Sequence, residues 1–302
     1  KTWMAETIFP ELHRFYQWAE KKLGHRFFYP QPIYRPFLSV AEQNEWMGKS
    51  VDAALRDYVQ EVFIQSRYGN QVYDPFGGIA LKECGYLEVV SFLHHVKNYL
   101  VLNNAYTADR FDETQLEITT GGVRYRNMEA AKIIFCSGTA MQQSTLLSGI
   151  PIRLLKGETM VIELDESLEL IYNRGVYMVP MGEKNRYKVG ATYETKQLTA
   201  TTTEAGRLEL QQKLDELLRV PYRIVAQDWG FRPTTPDRKP MLGSLPVSEN
   251  VIIFNGLGTK GVSLAPYFSG HLLDWLLGKI EIRPEVNINR FKSLFSKSTG
   301  LV

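Results

Sequence analysis

Apolar side chains recur at helical spacing in several parts of the chain. The first stretch covers residues 3–23, where apolar positions return every three to five residues and Gly24 offers a natural stop. Further helices are predicted over residues 41–66 with a break at Gly48, from Gly85 to about Leu102, over 202–219, and over Ser263–Leu277, closed by Gly278. Thr201 and Glu204 have capping-box spacing at the start of the 202–219 helix.

Short apolar or β-branched runs between these helices predict strands. They comprise an extended or edge segment at 27–40, a hairpin at 115–126 turning at Gly121-Gly122, and strands at Ala131–Phe135, Glu158–Leu164, Gly175–Pro180, Tyr187–Thr192, 222–229 and Asn250–Asn255. Strands alternate with helices in some regions and cluster in others. This mixture predicts an α/β (mixed α+β) protein in which an α/β domain is interleaved with a strand-rich one.

Composition and charge exclude several classes of protein. The 302 residues are 44% hydrophobic and 23% charged, which is typical of a globular chain. The net charge of +2, without a run of five like charges, lacks the signature of a dedicated nucleic-acid binder. No apolar run reaches the length of a membrane span. Cys84 and Cys136 are too few for a disulfide framework, so we expect a cytoplasmic protein.

A glycine-rich loop between a strand and a helix is the strongest local feature. Gly256, Gly258 and Gly261 would let the backbone and the positive end of the following helix approach a ligand closely. The alternative interpretation is that these glycines only form a tight turn between the strand and the helix. The same glycines have G-x-G-x-x-G spacing, but no acidic residue ends a second strand some 20 residues later, which argues against pyrophosphate binding by this loop.

Two further side chains are candidates for binding. Arg232 lies between apolar neighbours at a strand end, where a guanidinium needs an anion or an internal salt bridge. Tyr177 lies within a strand and is either a functional group or part of the sheet surface. The sequence has no HExxH, GxSxG or Walker A motif, and no metal site is predicted.

Several segments, in order along the chain, carry a family resemblance. They are Gly85-Tyr86-Leu87, Ile133–Gly138, Leu155-Lys156-Gly157-Glu158, Tyr177–Pro180 with Val189–Thr192, Trp229–Pro233 with Asp237–Pro240, and 255–262 followed by Leu264-Ala265-Pro266. Together they resemble the FAD-dependent amine and D-amino-acid oxidase (DAO) family, which includes glycine oxidase and sarcosine oxidase. The resemblance covers nearly 200 residues, from about Gly85 to Gly278.

The resemblance implies roles for individual residues. Arg232 would pair with a substrate carboxylate, and Tyr177 would lie over the substrate. The residues implied at the flavin ring are Leu257, Gly258, Thr259, Lys260, Gly261 and Val262. Ser137 and Gly138 would border the ribityl–pyrophosphate stretch of FAD, and Ala105 would lie near its adenine.

The resemblance also implies two interleaved lobes. The substrate-binding lobe, with a mixed or antiparallel sheet, would comprise residues 1–84 and 151–226, and the Rossmann-like FAD-binding lobe residues 85–150 and 227–302. The family's N-terminal β-α-β unit, with its own G-x-G-x-x-G, is absent from this sequence, so we expect the cofactor lobe to be incomplete here.

The function implied is oxidation of the C–N bond of a small amino acid or N-substituted glycine, with hydride transfer to flavin N5. The partners would be a small carboxylate-bearing amine and dioxygen or another electron acceptor. Two alternatives remain open at this point. One is a non-catalytic binding or interaction module that lacks its cofactor cradle, and the other is a flavin domain acting on a modified tRNA base.

Overall fold

The computed structural model describes residues 3–168, 170–182 and 185–295. By their internal contacts these residues divide into two units. The first comprises residues 3–9, 13–106 and 156–230, and the second comprises 10–12, 107–155 and 231–295. Residues 85–106 therefore pack within the first unit, whereas the sequence placed them in the cofactor lobe. The assignment of lobes to substrate and cofactor stays a prediction.

The described helices are α1 (Ala5–Leu23), α2 (Val40–Ser50), α3 (Val89–Leu102), α4 (Glu204–Asp215), α5 (Gly261–Leu276) and α6 (Lys292–Phe295). Helices α1 to α5 overlap the predicted helices, whereas α6 was not predicted. Helix α1 ends where predicted, because Gly24 adopts a left-handed conformation and its N–H donates to the Glu20 carbonyl. Helix α4 is capped by Thr203, whose hydroxyl oxygen accepts from the Gly206 N–H, and not by the predicted Thr201.

The strands of the first unit form one large sheet and a small ribbon. These strands are β1 (Phe28–Pro30), β2 (Ile33–Pro36), β3 (Val59–Phe63), β4 (Gly78–Leu81), β5 (Gly85–Leu87), β10 (Arg153–Leu164), β11 (Ile171–Arg174), β12 (Val176–Pro180), β13 (Arg186–Gly190) and β14 (Tyr222–Thr234). Within the described residues the large sheet has eight strands in the order β14-β10-β13-β12-β11-β2-β4-β3, and β1 pairs with β5. Strand β10 begins three residues before the first unit's segment 156–230, and strand β14 ends four residues after it.

Helix α4 covers one face of the large sheet. Leu210 and Leu214 of α4 are fully buried against sheet residues that include Met160, Met178 and Val189. Leu208 of the same helix is 53% exposed, although its spacing matches that of the core positions. Because neighbouring residues in a strand point to opposite faces, the residues next to Met160, Met178 and Val189 along their strands lie on the other face of the sheet.

The second unit contains two three-stranded sheets among its described residues. One has the order β6-β7-β8 and the other β15-β16-β9, formed by β6 (Leu116–Thr119), β7 (Gly122–Tyr125), β8 (Met128–Ala130), β9 (Ile133–Phe135), β15 (Met241–Leu245) and β16 (Ser248–Asn255). Strands β9 and β16 are parallel, and β15 is antiparallel to β16. The core of this unit includes Phe135, Met141, Met241, Val251 and Ile253.

Several sequence predictions differ from the structure. The 41–66 segment is helical only as far as Ser50, and its end forms β3. Gly85–Leu87 is a strand, with the helix beginning at Val89, and β11 and β15 were not predicted. Among the described helices, none combines the length and apolar character needed to cross a lipid bilayer.

Candidate functional site

Two of the predicted cofactor segments follow parallel strands of the second unit. Ser137 and Gly138 follow β9 after one residue, Cys136, and the loop beginning at Gly256 comes directly after β16. The register pairs Val251 with Ile133 and Ile253 with Phe135. Since the carboxyl ends of adjacent parallel strands share one edge of a sheet, the structure brings these two segments together at the position where α/β sheets bind ligands.

Asn255, the last residue of β16, joins the two segments. Its side chain is buried, and its Nδ2 donates to the Gly138 carbonyl at 2.9 Å and to Met141 Sδ at 3.0 Å. Its Oδ1 accepts from the Gly256 N–H at 2.7 Å. Sequence reasoning missed this residue, although a polar side chain that ends a buried apolar strand was the available signal.

The loop after β16 requires glycine at two points. Gly256 and Gly258 have φ angles of 75° and 55°, in the left-handed region that favours glycine. A Cβ on Gly256 would lie 2.6 Å from the Thr235 methyl carbon. The glycines are therefore explained by backbone conformation and by close packing.

Helix α5 begins at Gly261 without a side-chain cap. Lys260 occupies the N-cap position, and its side chain makes no capping hydrogen bond. Thr259, Lys260 and Val262 are exposed. A 3-10 turn, Gly258–Lys260, runs directly into this 16-residue helix, so the partial positive charge of the helix N-terminus is directed toward the glycine loop, where an anionic or carbonyl-rich ligand would be stabilised. The residues present thus fit the pyrimidine edge of a flavin.

Arg232 lies at the end of β14, beside this loop. Two residues further on, Thr234 forms an antiparallel bridge with Leu257, and the Thr234 methyl carbon lies 3.3 Å from a Cβ built on Gly258. The Thr234 hydroxyl donates to the Arg153 carbonyl at 2.8 Å. The strand end that carries the half-buried Arg232 is therefore fixed against the predicted flavin loop.

The turn after Arg232 is held by an ion pair. Arg290 donates from Nε to Asp237 Oδ2 at 2.8 Å and from Nη2 to Oδ1 at 3.2 Å. Burial raises the pKa of Asp237, but the hydrogen bonds from Arg290, the Lys239 N–H and Thr235, together with the charge of Arg290, hold that pKa below its ordinary value. Within the turn, the buried Thr235 hydroxyl donates to the Lys239 carbonyl at 2.7 Å. Asp237 and Thr235 therefore have a structural role.

Tyr177 lies in the first unit, on the face of the large sheet opposite α4. The register places Thr159, Gly190, Tyr177 and Asn173 in one row across β10, β13, β12 and β11. A Cβ on Gly190 would lie 2.6 Å from the Tyr177 hydroxyl oxygen and 2.8 Å from the Thr159 methyl carbon. The Tyr177 ring therefore occupies the space above Gly190 and leans toward β13.

The Lys156–Glu158 segment forms a buried ion pair in the first unit. Lys156 Nζ lies 2.8 Å from Glu158 Oε1, and both side chains are almost fully buried. Glu158 also accepts from the Thr203 N–H, the Thr203 hydroxyl and Gln227 Nε2, at 2.7 to 2.8 Å. Burial raises the pKa of Glu158, but these donors and Lys156 hold it below its ordinary value.

Ala105 belongs to the first unit, whereas the loops after β9 and β16 belong to the second. It follows α3, is exposed, and donates its N–H to the Leu100 carbonyl at 2.8 Å. Its role near adenine stays a prediction. Among the described residues, no three His, Cys, Asp or Glu side chains are grouped so as to hold a metal ion.

The mixed α/β fold, with two loops meeting at the carboxyl ends of the parallel strands β9 and β16, is typical of enzymes that bind a nucleotide cofactor. The family described as "FAD dependent oxidoreductase" (DAO) matches residues 4–275. The chain belongs to this family, whose enzymes depend on FAD.

Relatives and solved structures agree with the family. The chain is 26% identical over 272 residues to the tRNA 5-methylaminomethyl-2-thiouridine biosynthesis bifunctional protein MnmC of Hahella chejuensis, a match covering 83% of this chain and 39% of that protein. It is 25% identical over 187 residues to the bifunctional protein ThiO/ThiG of Trichormus variabilis, covering 58% of this chain and 28% of that protein. The matched regions thus span well under half of both relatives.

Solved structures share the fold. Iminodiacetate oxidase from Chelativorans sp. BNC1 has a TM-score of 0.72 at 19% identity, covering 91% of this chain and 81% of that one. Glycine oxidase from Bacillus cereus ATCC 14579 has a TM-score of 0.72 at 15% identity, covering 96% and 82%. At these identities the likeness establishes the fold alone.

Proposed function

We propose that this chain is the catalytic part of a flavoenzyme that oxidises the C–N bond of a small amino acid or N-substituted glycine. The single observation that carries the proposal is the Thr234–Leu257 bridge, which fixes the strand end bearing Arg232 beside the glycine-rich loop. The names of the iminodiacetate oxidase and glycine oxidase neighbours support a carboxylate-bearing amine as the substrate.

Arg232 is the proposed carboxylate-binding residue. A guanidinium presents donors in a planar fork that matches both oxygens of a carboxylate. Its place near Gly258 would hold the carboxylate end of a substrate close to the loop, so that the amine-bearing carbon is oriented before reaction. Such orientation contributes to rate without a side-chain base, provided that the amine arrives neutral.

The cofactor would be held by the segments joined by Asn255. Leu257, Gly258, Thr259, Lys260, Gly261 and Val262 are the proposed contacts of the flavin ring, and Ser137 and Gly138 those of its ribityl–pyrophosphate stretch. FAD, when bound, supplies the hydride acceptor, and dioxygen or another acceptor reoxidises it. The α5 N-terminus and Lys260 would stabilise negative charge at the pyrimidine edge.

Tyr177 is proposed to contact the substrate. Its ring is half-buried and its position is set by Gly190, so it offers a rigid aromatic face. The role of Ala105 near adenine also belongs to this proposal and follows from the family resemblance.

A second candidate is oxidation of an amine carried on a modified tRNA base. It is favoured by the MnmC match, which covers 83% of this chain. The net charge of +2 gives little electrostatic attraction for tRNA. The two candidates share the flavin chemistry and differ in the size of the substrate.

The test is anaerobic bleaching of the flavin absorbance, which does not depend on the electron acceptor. The FAD-loaded protein would be mixed with glycine, N-methylglycine, or a nucleoside carrying an alkylaminomethyl group. We expect bleaching by at least one of the free amino acids. Arg232→Leu should raise the KM for carboxylate-bearing amines about 100-fold, because a charge-assisted bidentate contact is lost.

The matched control is Arg110→Leu, an exposed arginine of the same unit. An equal effect of Arg232→Leu on amines with and without a carboxylate would remove the proposed role of Arg232. Bleaching by the nucleoside alone would favour the second candidate. Failure to bind FAD would refute both and leave a non-catalytic binding module.

A further inference from the structure

Two arginines of the first unit lie over the ring of Tyr73, which is exposed and has no role in the proposed function. The guanidinium carbon of Arg174 lies 5.8 Å from the centroid of the Tyr73 ring, and that of Arg219 lies 5.0 Å from the same centroid. At such distances a guanidinium group is attracted to the face of an aromatic ring. We call these three residues the Tyr73 cluster. One ring therefore holds two positive charges close to each other.

Hydrogen bonds fix the Tyr73 cluster in place. The Tyr73 N–H donates to the Leu217 carbonyl at 2.7 Å. Arg174 Nη1 donates to the Tyr73 carbonyl at 2.9 Å, and Arg219 Nη1 donates to the Gly69 carbonyl at 3.2 Å. Each guanidinium group is thus anchored through one nitrogen, which reduces the side-chain entropy that binding of a ligand would cost.

The positive charge of the Tyr73 cluster has no acidic partner within the described parts of the chain. No carboxylate oxygen there lies within 4 Å of either guanidinium group, and Nε and Nη2 of both arginines have no hydrogen-bond partner among the same residues. The neighbouring Asp74 is buried and accepts instead from the Tyr34 hydroxyl and the Tyr68 N–H, both at 2.9 Å. Two guanidinium groups are therefore open to an anion.

A groove of about 630 Å³ lies next to the Tyr73 cluster, and Arg219 is part of its lining. Most of the other lining residues are apolar or aromatic, namely Leu218, Val220, Pro221, Tyr222 and Ile224. Asp215 also lines the groove and accepts a hydrogen bond from the Tyr222 hydroxyl. The groove therefore offers a flat ring an apolar surface with a hydrogen-bond acceptor, close to a positive charge.

The Tyr73 cluster suits successive phosphate groups better than a single carboxylate. One guanidinium group already matches both oxygens of a carboxylate, whereas Arg174 and Arg219 present two such forks. Two phosphates joined in one ligand would give each fork its own pair of oxygens. A heterocycle carried by the same ligand would then reach the adjoining groove.

We propose that the Tyr73 cluster and its groove bind a nucleotide with two successive phosphates. The phosphates pair with Arg174 and Arg219, and the base lies in the groove against Tyr222. Such phosphates occur in a free nucleoside diphosphate and in an RNA strand, so the test includes both. All of these residues belong to the first unit, and the inference does not rest on the proposed function.

The test is calorimetric titration of the protein in excess FAD, which keeps other nucleotides out of a flavin site. The probes are ADP, pyrophosphate and a single-stranded oligoadenylate. We expect ADP to bind at least about tenfold more tightly than pyrophosphate, because its base gains apolar contact. Arg174→Met and Arg219→Met should each weaken ADP binding by about tenfold or more. Tyr73→Leu should weaken it as well, whereas Tyr73→Phe keeps the ring and should not.

Arg56→Met is the matched control, because Arg56 is an exposed arginine of the same unit that pairs with Asp57. It should bind ADP as the unchanged protein does. ADP binding that survives both Arg174→Met and Arg219→Met, or the binding of none of the probes, would overturn the inference. Equal binding of ADP and pyrophosphate would overturn the assignment of a nucleotide.

The oligoadenylate separates the two sources of the ligand. If it binds more tightly than ADP and loses affinity in the same variants, the result supports RNA as the ligand. Binding of ADP without binding of the oligoadenylate supports a free nucleotide. Neither result depends on bleaching of the flavin, so the proposed oxidation can fail while the nucleotide site stands, and the reverse.

Discussion

The Asn255 side-chain amide donates to the Gly138 carbonyl oxygen over 2.9 Å, linking residues 117 positions apart. The same amide group, through its oxygen, accepts from the Gly256 N–H. One side chain therefore sets the spacing of the two segments proposed to hold FAD.

Replacing Asn255 with leucine should weaken FAD binding. The substitution leaves the Gly138 carbonyl without its donor, which should lower the free energy of unfolding by about 1–3 kcal/mol. We expect the dissociation constant of FAD to rise about tenfold, measured by fluorescence titration. Asn250→Leu is the control, because its amide bonds the Thr119 carbonyl in an exposed hairpin. A loss of stability with unchanged FAD affinity would assign Asn255 a structural role alone.

Gly190→Ala should displace Tyr177. The new methyl carbon would lie 2.6 Å from the tyrosine hydroxyl oxygen, so the ring must move or the sheet must strain. We expect a loss of about 1–3 kcal/mol in unfolding free energy and a higher KM for the amine substrate. Gly230→Ala, where a Cβ meets no atom within 4 Å, should change neither quantity. In a Tyr177→Ala background, Gly190→Ala should cost clearly less, and an unchanged cost would contradict the proposed contact.

The buried Glu158 should make stability depend on pH. Its pKa in the folded protein lies below the ordinary value of 4.5. The stabilisation is therefore fully present above the unfolded pKa, and it is lost as the pH falls through the lower folded pKa. Urea unfolding at neutral pH and at steps through the acid range should show this loss, and Glu158→Gln should reduce it. An identical pH profile for Glu158→Gln would show that other carboxylates dominate.

Removing the buried ammonium partner of Glu158 should cost more than removing the lysine of a surface ion pair. Lys156→Met leaves a buried carboxylate without its ammonium group, for which we expect a loss of about 3–5 kcal/mol at neutral pH. The measurement is the same urea unfolding series. Lys213→Met is a suitable control, since Lys213 pairs with Glu209 on the surface of α4 and should contribute about 0–1 kcal/mol. Equal losses for the two lysine variants would contradict the importance of burial here.

The Asp237–Arg290 pair should order the turn that follows Arg232. In Arg290→Met the turn loses the donors to Asp237 and to the Lys239 carbonyl. Backbone hydrogen exchange at Arg238 and Lys239 should then become faster, with a rise in the KM for carboxylate-bearing amines. Arg124→Met, whose ion pairs are exposed, should leave that exchange unchanged. Unchanged exchange in Arg290→Met would show that the Thr235–Lys239 hydrogen bond suffices.

The sequence predicted elements whose signals are local. Helix α1 and its Gly24 stop, the 115–126 hairpin, and strand β16 with its glycine loop all depend on neighbouring residues, and each is present. The β3 strand was wrongly predicted as helix, because its pairing with β4 is a tertiary contact that overrides local pattern. Leu208 has the correct spacing for a helix face, but the packing of α4 on the sheet buries Leu210 and Leu214 instead.

The parts of the candidate site that have local sequence signals could also be predicted. The glycine loop and Ser137-Gly138 were proposed as cofactor-binding segments from the sequence, and the parallel pairing of β9 with β16 explains why they meet. Their role in binding stays a prediction. The partners of Glu158 could not be predicted, because their contacts join residues distant in sequence. Asn255 has a local signal at the end of a buried strand, but its bond to the Gly138 carbonyl is a tertiary contact that no local pattern shows. The Lys156–Glu158 motif gave no hint of burial, since lysine and glutamate are usually solvated.

The Lys156–Glu158 pair also bears on the order in which the first unit assembles. Its carboxylate needs donors from Thr203 and Gln227, which are 45 and 69 residues away along the chain. A charge cannot leave water at low cost until those donors are in place, so the pair should form only after the sheet and α4 have met. Substitutions of Glu158 should then act mainly on the rate of unfolding, so that this ion pair sets how long the folded unit persists more than how quickly it forms.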